Sequence, residues 1–338
     1  MQKLLITVLL CFAVILPSTL CDDSQQNISV QDLLTYNKWK LQHQKVYLNE
    51  DEQLYRQSVF LENLAKIKSH ASDTEATYTV GLNQFSDYTQ EEFKQRFLNI
   101  NLSQRSTPLD VSGDQPRLLG AIATSIDWRT KPNVLNPIKD LGQCNANWAF
   151  GAVGVMEPFN SIKNGVLKKF SEQQLIECVH KAGFTSNGCQ GGFLEDGINY
   201  AIKYGIVQSS SYPYTASTGI VKNCTITSPT SPSDGFYPQS FQKVAQNSLA
   251  LKTALNLYPV AVQIDATNWS SYTGGIFNNC GSTTLQDLNL YAVAVGYDAQ
   301  GNWIIRNSWG TTWGEKGYIR LAAGSTCGVL LNSFYITA

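Results

Sequence analysis

The sequence predicts an α+β protein in which a helical lobe packs against a β lobe, preceded by a separate helical segment. Helix-like periodicity dominates the first half of residues 124–338, in runs such as NWAFGAVGVMEPFNSIKNG and LEDGINYAIKYG. Strand-like runs separated by turn residues follow in the second half, including PVAVQID, LYAVAVGYD, NWIIRNSWG and KGYIRLAA. We expect a cleft between the two lobes, where ligand sites commonly lie.

Local signals place the ends of some of these helices. Ser171 and Glu172 in SEQQLIEC are typical of a helix start, and Gly165 is typical of a helix stop. Pro158 lies inside the first helical run, where a proline costs about 3 kcal/mol or kinks the helix.

Residues 30–98 are helix-like and charged. The run EDEQLYRQSVFLENLAKIKSH predicts an amphipathic helix, because the following residues recur at helical spacings: Val59, Phe60, Asn63, Leu64 and Ile67. Its charged positions are interpreted either as the solvated face of the helix or as part of a site. The polar stretch 99–123 contains Pro and Gly, and it predicts an exposed linker that proteases can reach.

Length and composition indicate a globular protein that enters the secretory pathway. The chain has 338 residues, of which 43% are hydrophobic, and a formal net charge of −1 that gives no reason to expect nucleic acid or membrane as a partner. Lys3 and the apolar run from Leu4 to Leu16 predict a cleaved signal segment over residues 1–21. We expect a monomer, in a lysosome or vacuole or outside the cell, with no cofactor and no metal.

The cysteine count fits the same route. Cys11 and Cys21 lie in or beside the signal segment, and the other six are Cys144, Cys178, Cys189, Cys224, Cys280 and Cys327. An even number in an oxidising compartment predicts three disulfides, and the sequence alone allows fifteen pairings. Four Asn-x-Ser/Thr sequons are compatible with this compartment, at Asn27, Asn101, Asn223 and Asn268.

Ordered motifs run through nearly the whole chain. After residue 124 they are IDWR, GQC followed by WAF, SEQQLIEC, NGCQGG, GGIF, AVAVGY and RNSWGTTWGEKGYIRL. The N-terminal segment contains a second set, formed by Glu52, Arg56, Phe60, Asn63 and Ile67 and by the stretch GLNQFSD. Together they resemble the papain-like cysteine peptidases of the cathepsin L type. The resemblance implies a papain-like two-lobe fold at 124–338 and an inhibitory pro-domain at 30–98, although Ala71 replaces the last Asn of the helical pro-domain motif.

The resemblance also implies a disulfide pattern. It pairs Cys144 with Cys189, Cys178 with Cys224, and Cys280 with Cys327. No free thiol then remains in residues 124–338.

The resemblance places the catalytic positions of the family at Gln143, Asn147, Leu290 and Asn307. The family needs a thiolate at position 147 and an imidazole at position 290. An amide is a poor nucleophile because its nitrogen lone pair is delocalised, and leucine neither accepts nor donates a proton. Gln143 matches the glutamine that stabilises the oxyanion, and Asn307 matches the asparagine that orients the imidazole.

Trp309 and the three histidines are the remaining residues that the chemistry of the family could involve. Trp309 matches the indole that shields the catalytic pair. The histidines are His43, His70 and His180. None is near the AVAVGY motif, and His180 is interpreted as an ordinary surface histidine.

The peptide-binding positions of the family are better preserved. Gly191 and Gly192 match the bare backbone along which an extended peptide approaches and pairs. Phe193 and Leu194 are interpreted either as walls of the main specificity pocket or as ordinary lobe packing.

Two further substitutions lie beside this pocket. Gln263 and Tyr291 stand where the family has small residues, and we expect both to narrow the cleft. The sequence therefore favours an inactive peptidase homologue that binds a peptide or protein in its cleft, with its own pro-domain as a partner. The alternative is an active cysteine-type endopeptidase, which the family resemblance alone would indicate.

Overall fold

The structure is a computed structural model that describes residues 29–98, 116–117, 120–226, 234–281 and 283–337. The predicted signal segment, two of the sequons and most of the predicted linker lie outside the described residues. The helices in the described part of the chain are α1 (Val30–Gln42), α2 (Glu50–Ala71), α3 (Gln90–Phe97), α4 (Asn147–Asn164), α5 (Glu172–Cys178), α6 (Leu194–Tyr204) and α7 (Ser248–Leu257).

The four strand runs that the sequence predicts are confirmed as strands of the main sheet. The strands in the described part of the chain are β1 (Tyr78–Val80), β2 (Ile126–Asp127), β3 (Ile206–Val207), β4 (Gly235–Phe236), β5 (Ser240–Lys243), β6 (Val260–Ile264), β7 (Tyr272–Phe277), β8 (Leu290–Tyr297), β9 (Trp303–Arg306), β10 (Tyr318–Leu321) and β11 (Asn332–Thr337). The main sheet has the order β1-β7-β10-β9-β8-β6-β11-β5, with β2 paired to β8, while β3 pairs with β4 separately. The fold is α+β, as predicted.

Helix α4 is the central element of the helical lobe. It packs against α5, α6 and β8. Gly154 permits the close approach to β8, since a Cβ atom there would lie 2.7 Å from Cγ2 of Val293. Pro158 lies inside α4 without ending it, and the helix continues to Gly165, which takes the left-handed conformation with a φ of 71°.

The start of α5 is confirmed at Ser171. The Ser171 hydroxyl accepts a hydrogen bond from the backbone N–H of Gln174, which satisfies one of the free amides of the first turn. Helix α6 lies within the predicted helix-like run LEDGINYAIKYG and is followed by Gly205.

Residues 29–98 form an N-terminal unit with a small core of its own, made of Tyr36, Trp39, Phe60 and Leu64. The polar residues of its helical motif fix α2 to the loop that precedes α3. Asn63 donates from Nδ2 to the carbonyl oxygens of Ser86 and Tyr88, at 3.0 and 2.9 Å. Arg56 forms an ion pair with Glu92 at 2.8 Å. The motif residues therefore have structural partners inside the unit.

The N-terminal unit joins the main sheet through β1. This strand pairs antiparallel with β7, with Tyr78 opposite Gly275. Gly275 has a φ of 86°, and a Cβ atom there would lie 2.5 Å from the carbonyl oxygen of Thr77. A glycine is required at this crossing.

One large hydrophobic cluster runs through both lobes and includes Phe85, Phe93, Phe97 and Leu98 of the N-terminal unit. Three disulfides reinforce it: Cys144–Cys189, Cys178–Cys224 and Cys280–Cys327. These are the pairs that the resemblance implies. Each such bond typically stabilises a protein by about 2 to 4 kcal/mol.

Candidate functional site

Asn147 is the first residue of α4 and lies at the nucleophile position of the resemblance. Its side chain is 2% exposed. Both ends of its amide are hydrogen-bonded: Nδ2 donates to Oδ1 of Asn145 at 2.8 Å, and Oδ1 accepts from the backbone N–H of Tyr291 at 3.2 Å. A helix N-terminus favours a negative charge, but the neutral amide has none to stabilise. The side chain instead connects the helical lobe to β8.

Leu290 begins β8 and directly precedes Tyr291. Its side chain is fully buried in the main hydrophobic cluster. Because the backbone N–H of the next residue, Tyr291, donates to Oδ1 of Asn147, the structure brings positions 147 and 290 close together. A leucine has no proton to exchange and an amide is a poor nucleophile, so the two positions that the resemblance assigns as catalytic hold neither a base nor a nucleophile.

Asn307 follows β9 and is 2% exposed. Its Oδ1 atom accepts from the backbone N–H of Ser308 at 2.8 Å. Its Nδ2 atom is buried and has no hydrogen-bond partner among the described residues. The resemblance gives this amide an imidazole partner, and Leu290 supplies none. A buried polar group left in this way costs about 1 to 3 kcal/mol.

The N-terminal unit reaches the site through α3. Arg96 donates from Nη2 to Oε1 of Gln143 at 2.8 Å. The backbone N–H of Gln143 donates to the carbonyl oxygen of Ser217, also at 2.8 Å, which fixes the loop. The carbonyl end of the residue assigned to oxyanion stabilisation is therefore occupied by a side chain of the same protein.

Trp309 is the second contact point for the N-terminal unit. The rings of Phe85 and Phe93 pack edge-on against it, each with its centroid 5.4 Å from the indole. Gln84 donates from Nε2 to the carbonyl oxygen of Trp309 at 2.7 Å. Leu98, just after α3, is 1% exposed within the same cluster. The N-terminal unit thus covers this part of the cleft.

The two glycines of the peptide-binding motif have packing reasons of their own. Gly191 has a φ of 100°, and its carbonyl oxygen accepts from the backbone N–H of Asn187 at 3.1 Å. A Cβ atom on Gly192 would lie 2.5 Å from Cβ of Ser186 and 3.0 Å from the Trp148 ring. Both positions need glycine for the fold, whether or not a peptide binds there.

Tyr291 crosses the junction between the lobes. A Cβ atom on Gly151 of α4 would lie 3.1 Å from Cβ of Tyr291 and 3.0 Å from Cδ1 of Leu194. The Tyr291 hydroxyl donates to Oε2 of Glu195 at 3.3 Å, and its side chain is 1% exposed. Leu194 is fully buried, and Phe193 is 5% exposed. Tyrosine and leucine therefore fill the space between α4, α6 and β8.

Gln263 of β6 is fully buried beside this junction. Its Oε1 atom accepts from Nδ2 of Asn332 at 2.6 Å, and its Nε2 atom donates to the carbonyl oxygen of Leu288 at 3.4 Å. The amide is thus held inside the β lobe by side-chain and backbone partners. It projects no group that a ligand could meet.

A buried ion cluster behind α4 was missed by sequence reasoning. Lys139 pairs with Glu157 at 2.6 Å and also with Glu172. Burial acts to lower the pKa of Lys139, but the two carboxylates raise it above its ordinary value. Burial also raises the pKa of Glu172. The three residues are far apart in sequence, and no local pattern indicates their contact.

None of the helices in the described part of the chain has the length and hydrophobicity needed to span a bilayer. His180, at the end of the helical segment that follows Ser171, is exposed.

Two protein families match this chain. Residues 122–337 match the papain family cysteine protease domain. Residues 36–93 match the cathepsin propeptide inhibitor domain (I29). The N-terminal unit is thus the pro-domain of this chain.

Curated relatives and solved structures agree with this assignment. Cathepsin L 1 of Paramecium tetraurelia is 35% identical over 296 residues, which cover 87% of this chain and 89% of the relative. Fruit bromelain of Ananas comosus is 30% identical, with 89% and 85% covered. Digestive procathepsin L 3 from the larval midgut of Tenebrio molitor superposes with a TM-score of 0.78 at 32% identity, covering 92% of this chain and all of that one. The chain belongs to the papain family of cysteine peptidases and is a homologue of the cathepsin L proenzymes.

Proposed function

We propose that this protein is a catalytically inactive member of the papain family that uses its cleft to bind a peptide or protein segment. The observation that carries the proposal is the state of Asn147 and Leu290. The Asn147 amide is buried and hydrogen-bonded at both ends, and Leu290 is buried in the core. Loss of the nucleophile and base in a comparable enzyme lowers turnover about a millionfold.

The ligand of the uncut chain is its own pro-domain. Arg96 bonds to Gln143, while Phe85 and Phe93 cover Trp309. Release of the pro-domain in resembling enzymes often depends on their own activity, and an inactive chain would not cut itself. A second peptidase would have to cut the predicted linker at 99–123 before another ligand entered the cleft. Tyr291 then restricts the space beside Leu194, so the binding would favour a segment that needs no deep pocket there.

Thiol labelling tests the inactivity directly. The linker is first cut at an engineered protease site in 99–123 to uncover the cleft. An epoxide that alkylates active-site thiolates is then incubated with the non-reduced protein, and the mass of the fragment that starts near Thr124 is measured. We expect no adduct and no turnover of peptide substrates, since the six cysteines after residue 124 form disulfides. The double variant Asn147→Cys with Leu290→His is the positive control for labelling. A one-to-one adduct on the natural protein, or peptide turnover that follows its concentration, would establish the active endopeptidase instead.

The mass and N-terminus of the protein from its natural source test whether the pro-domain is retained. The protein is purified from its source, and its mass and N-terminal residue are determined. A start after Cys21 supports an uncut chain with a covered cleft. A start near Thr124 would require a peptidase acting in trans and would leave the cleft open to a partner. The recombinant protein alone at acidic pH should remain full length.

A further inference from the structure

A cavity of about 260 Å³ lies at the seam between the pro-domain and the β lobe. The pro-domain contributes Asn63, His70 and Tyr88 to its wall, and the β lobe contributes Asn268 and Asn279. The cavity is apart from the catalytic positions, none of which lines it. A molecule bound there would contact both domains at once.

Asn268 is an exposed residue on this wall and begins the sequon Asn-Trp-Ser. Its Oδ1 atom accepts from Nε2 of Gln90 in the pro-domain at 2.9 Å. Its Nδ2 atom donates to the carbonyl oxygen of Asn279 at 3.0 Å. An amide nitrogen carries two hydrogens, so this bond leaves one of them for substitution.

The other two residues of the sequon, Trp269 and Ser270, lie at the same seam. Trp269 is fully buried, and the carbonyl oxygen of Ser270 accepts from Nδ2 of Asn83 in the pro-domain at 2.6 Å. Asn223, in the other described sequon, differs in this respect. It is exposed beside the Cys178–Cys224 disulfide and contacts Lys181 at 2.9 Å. Asn268 is the sequon of the described chain that lies on the seam cavity.

We infer that Asn268 carries an N-linked glycan whose first sugar lies in the seam cavity and holds the pro-domain against the β lobe. The inference rests on the secretory route that the sequence predicts, because N-glycans are added there. Nδ2 of Asn268 forms a bond to C1 of the sugar in a lipid-linked oligosaccharide diphosphate. The bond from C1 to the diphosphate breaks, the lipid diphosphate leaves, and the amide nitrogen loses one proton.

The lining of the cavity suits an N-acetylhexosamine. Such a sugar presents C–H groups that pack on aromatic rings, together with hydroxyl and acetamido groups that hydrogen-bond. Tyr78 and Tyr88 provide rings, and Asn63, Gln90 and His70 provide polar atoms. Most of the lining residues are polar, which suits a ligand rich in hydrogen-bonding groups. These five residues belong to the pro-domain, whereas Asn268 belongs to the β lobe. A sugar attached to Asn268 would therefore link the two units across the seam.

The test uses the full chain secreted from eukaryotic cells. Peptide mass mapping before and after enzymatic deglycosylation locates the glycans. We expect one on Asn268. The variant Ser270→Ala abolishes the sequon without changing the Asn268 amide, and Ser270→Thr preserves it as the matched control. Asn223→Gln removes the other described sequon and controls for glycans in general.

The effect of the Asn268 glycan on pro-domain retention is measured by thermal unfolding and by the rate at which a protease cleaves the pro-domain. Ser270→Ala and enzymatic deglycosylation should each lower the unfolding midpoint by a few degrees and speed up pro-domain cleavage, whereas Ser270→Thr should change neither. The inference is overturned if Asn268 is unmodified, or if the glycosylated protein and Ser270→Ala lose the pro-domain at the same rate. Peptide turnover would refute the proposed function but leave this inference standing, so the two failures are distinguishable.

Discussion

The two halves of the cleft differ in the side chains that this protein has there. The half that would hold the pro-domain keeps its partners: Gln143 bonds to Arg96, and Trp309 packs against Phe85 and Phe93. The half that would perform the reaction has an amide at position 147 and a hydrocarbon side chain at position 290. The contacts that bind the pro-domain and the groups that perform the chemistry are therefore physically separable. Packing and hydrogen bonds suffice for the first, whereas the second needs an ionisable pair.

Restoring the ionisable pair should have the largest effect. Asn147→Cys alone should remain inactive, because Leu290 cannot accept the thiol proton and the thiol should titrate near its free value of about 8.5. Adding Leu290→His should raise turnover by about 10² to 10⁴ over the single variant, the usual contribution of a general base. Turnover of a fluorogenic peptide is measured after cutting an engineered protease site in 99–123.

Asn147→Ala with Leu290→His is the matched control, since it has the imidazole without the nucleophile. Strong activity from Asn147→Cys alone would show that another base serves the site.

Truncation of the pro-domain core should be the next largest effect. Phe93 is 1% exposed and packs against Phe85, Phe97 and Trp309. Phe93→Ala should lower the free energy of unfolding by about 3 to 5 kcal/mol, because it leaves a cavity at the seam. Urea unfolding of the uncut protein measures the loss.

The control for Phe93→Ala is Leu249→Ala, because Leu249 is 59% exposed. It should change stability by less than about 0.5 kcal/mol. A loss at Phe93 below about 1 kcal/mol would mean that the pro-domain does not share a core with the lobes.

Removing the contact to Gln143 should have a smaller effect. Arg96→Ala deletes the 2.8 Å hydrogen bond at an exposed site. The pro-domain should bind more weakly by about 1 kcal/mol, or about fivefold in its dissociation constant. The dissociation constant is measured with the linker cut, and Lys94→Ala on the same helix is the control. Equal weakening by both variants would contradict a specific role for the Gln143 contact.

The pH-dependent contribution of Glu92 in the pro-domain to folding stability should be the smallest effect. Burial acts to raise the pKa of Glu92, but the Thr89 amide and the Arg56 guanidinium lower it below its ordinary value of 4.5 overall. The unfolded chain then binds the proton more readily, so this contribution is present above pH 4.5 and is lost as the pH falls through the folded pKa. The unfolding midpoint of the natural protein should therefore fall more steeply below about pH 4.5 than that of Glu92→Gln. Parallel curves would contradict this assignment.

The sequence predicted the elements whose signals are local. Ser171 and Gly165 bound helices where the capping rules place them, and the alternating runs became β6, β8, β9 and β10. It did not indicate β7, which contains two glycines, or α7, because strand and helix preferences of short runs depend on what they pack against. Pro158 has a strong local signal, yet α4 passes through it because the surrounding lobe fixes the helix.

By itself the sequence determined the family and the order of the motifs, and it predicted which two residues replace the catalytic pair. Only the tertiary structure decided what those residues do. The Asn147 amide meets the Tyr291 backbone across 144 positions, and Arg96 meets Gln143 across 47. Likewise, Tyr291 turns inward to Glu195, and the Nδ2 atom of Asn307 is left without a partner among the described residues. Local preferences act over a few residues, whereas these contacts exist only once the whole core has packed and fixed each side chain against distant neighbours.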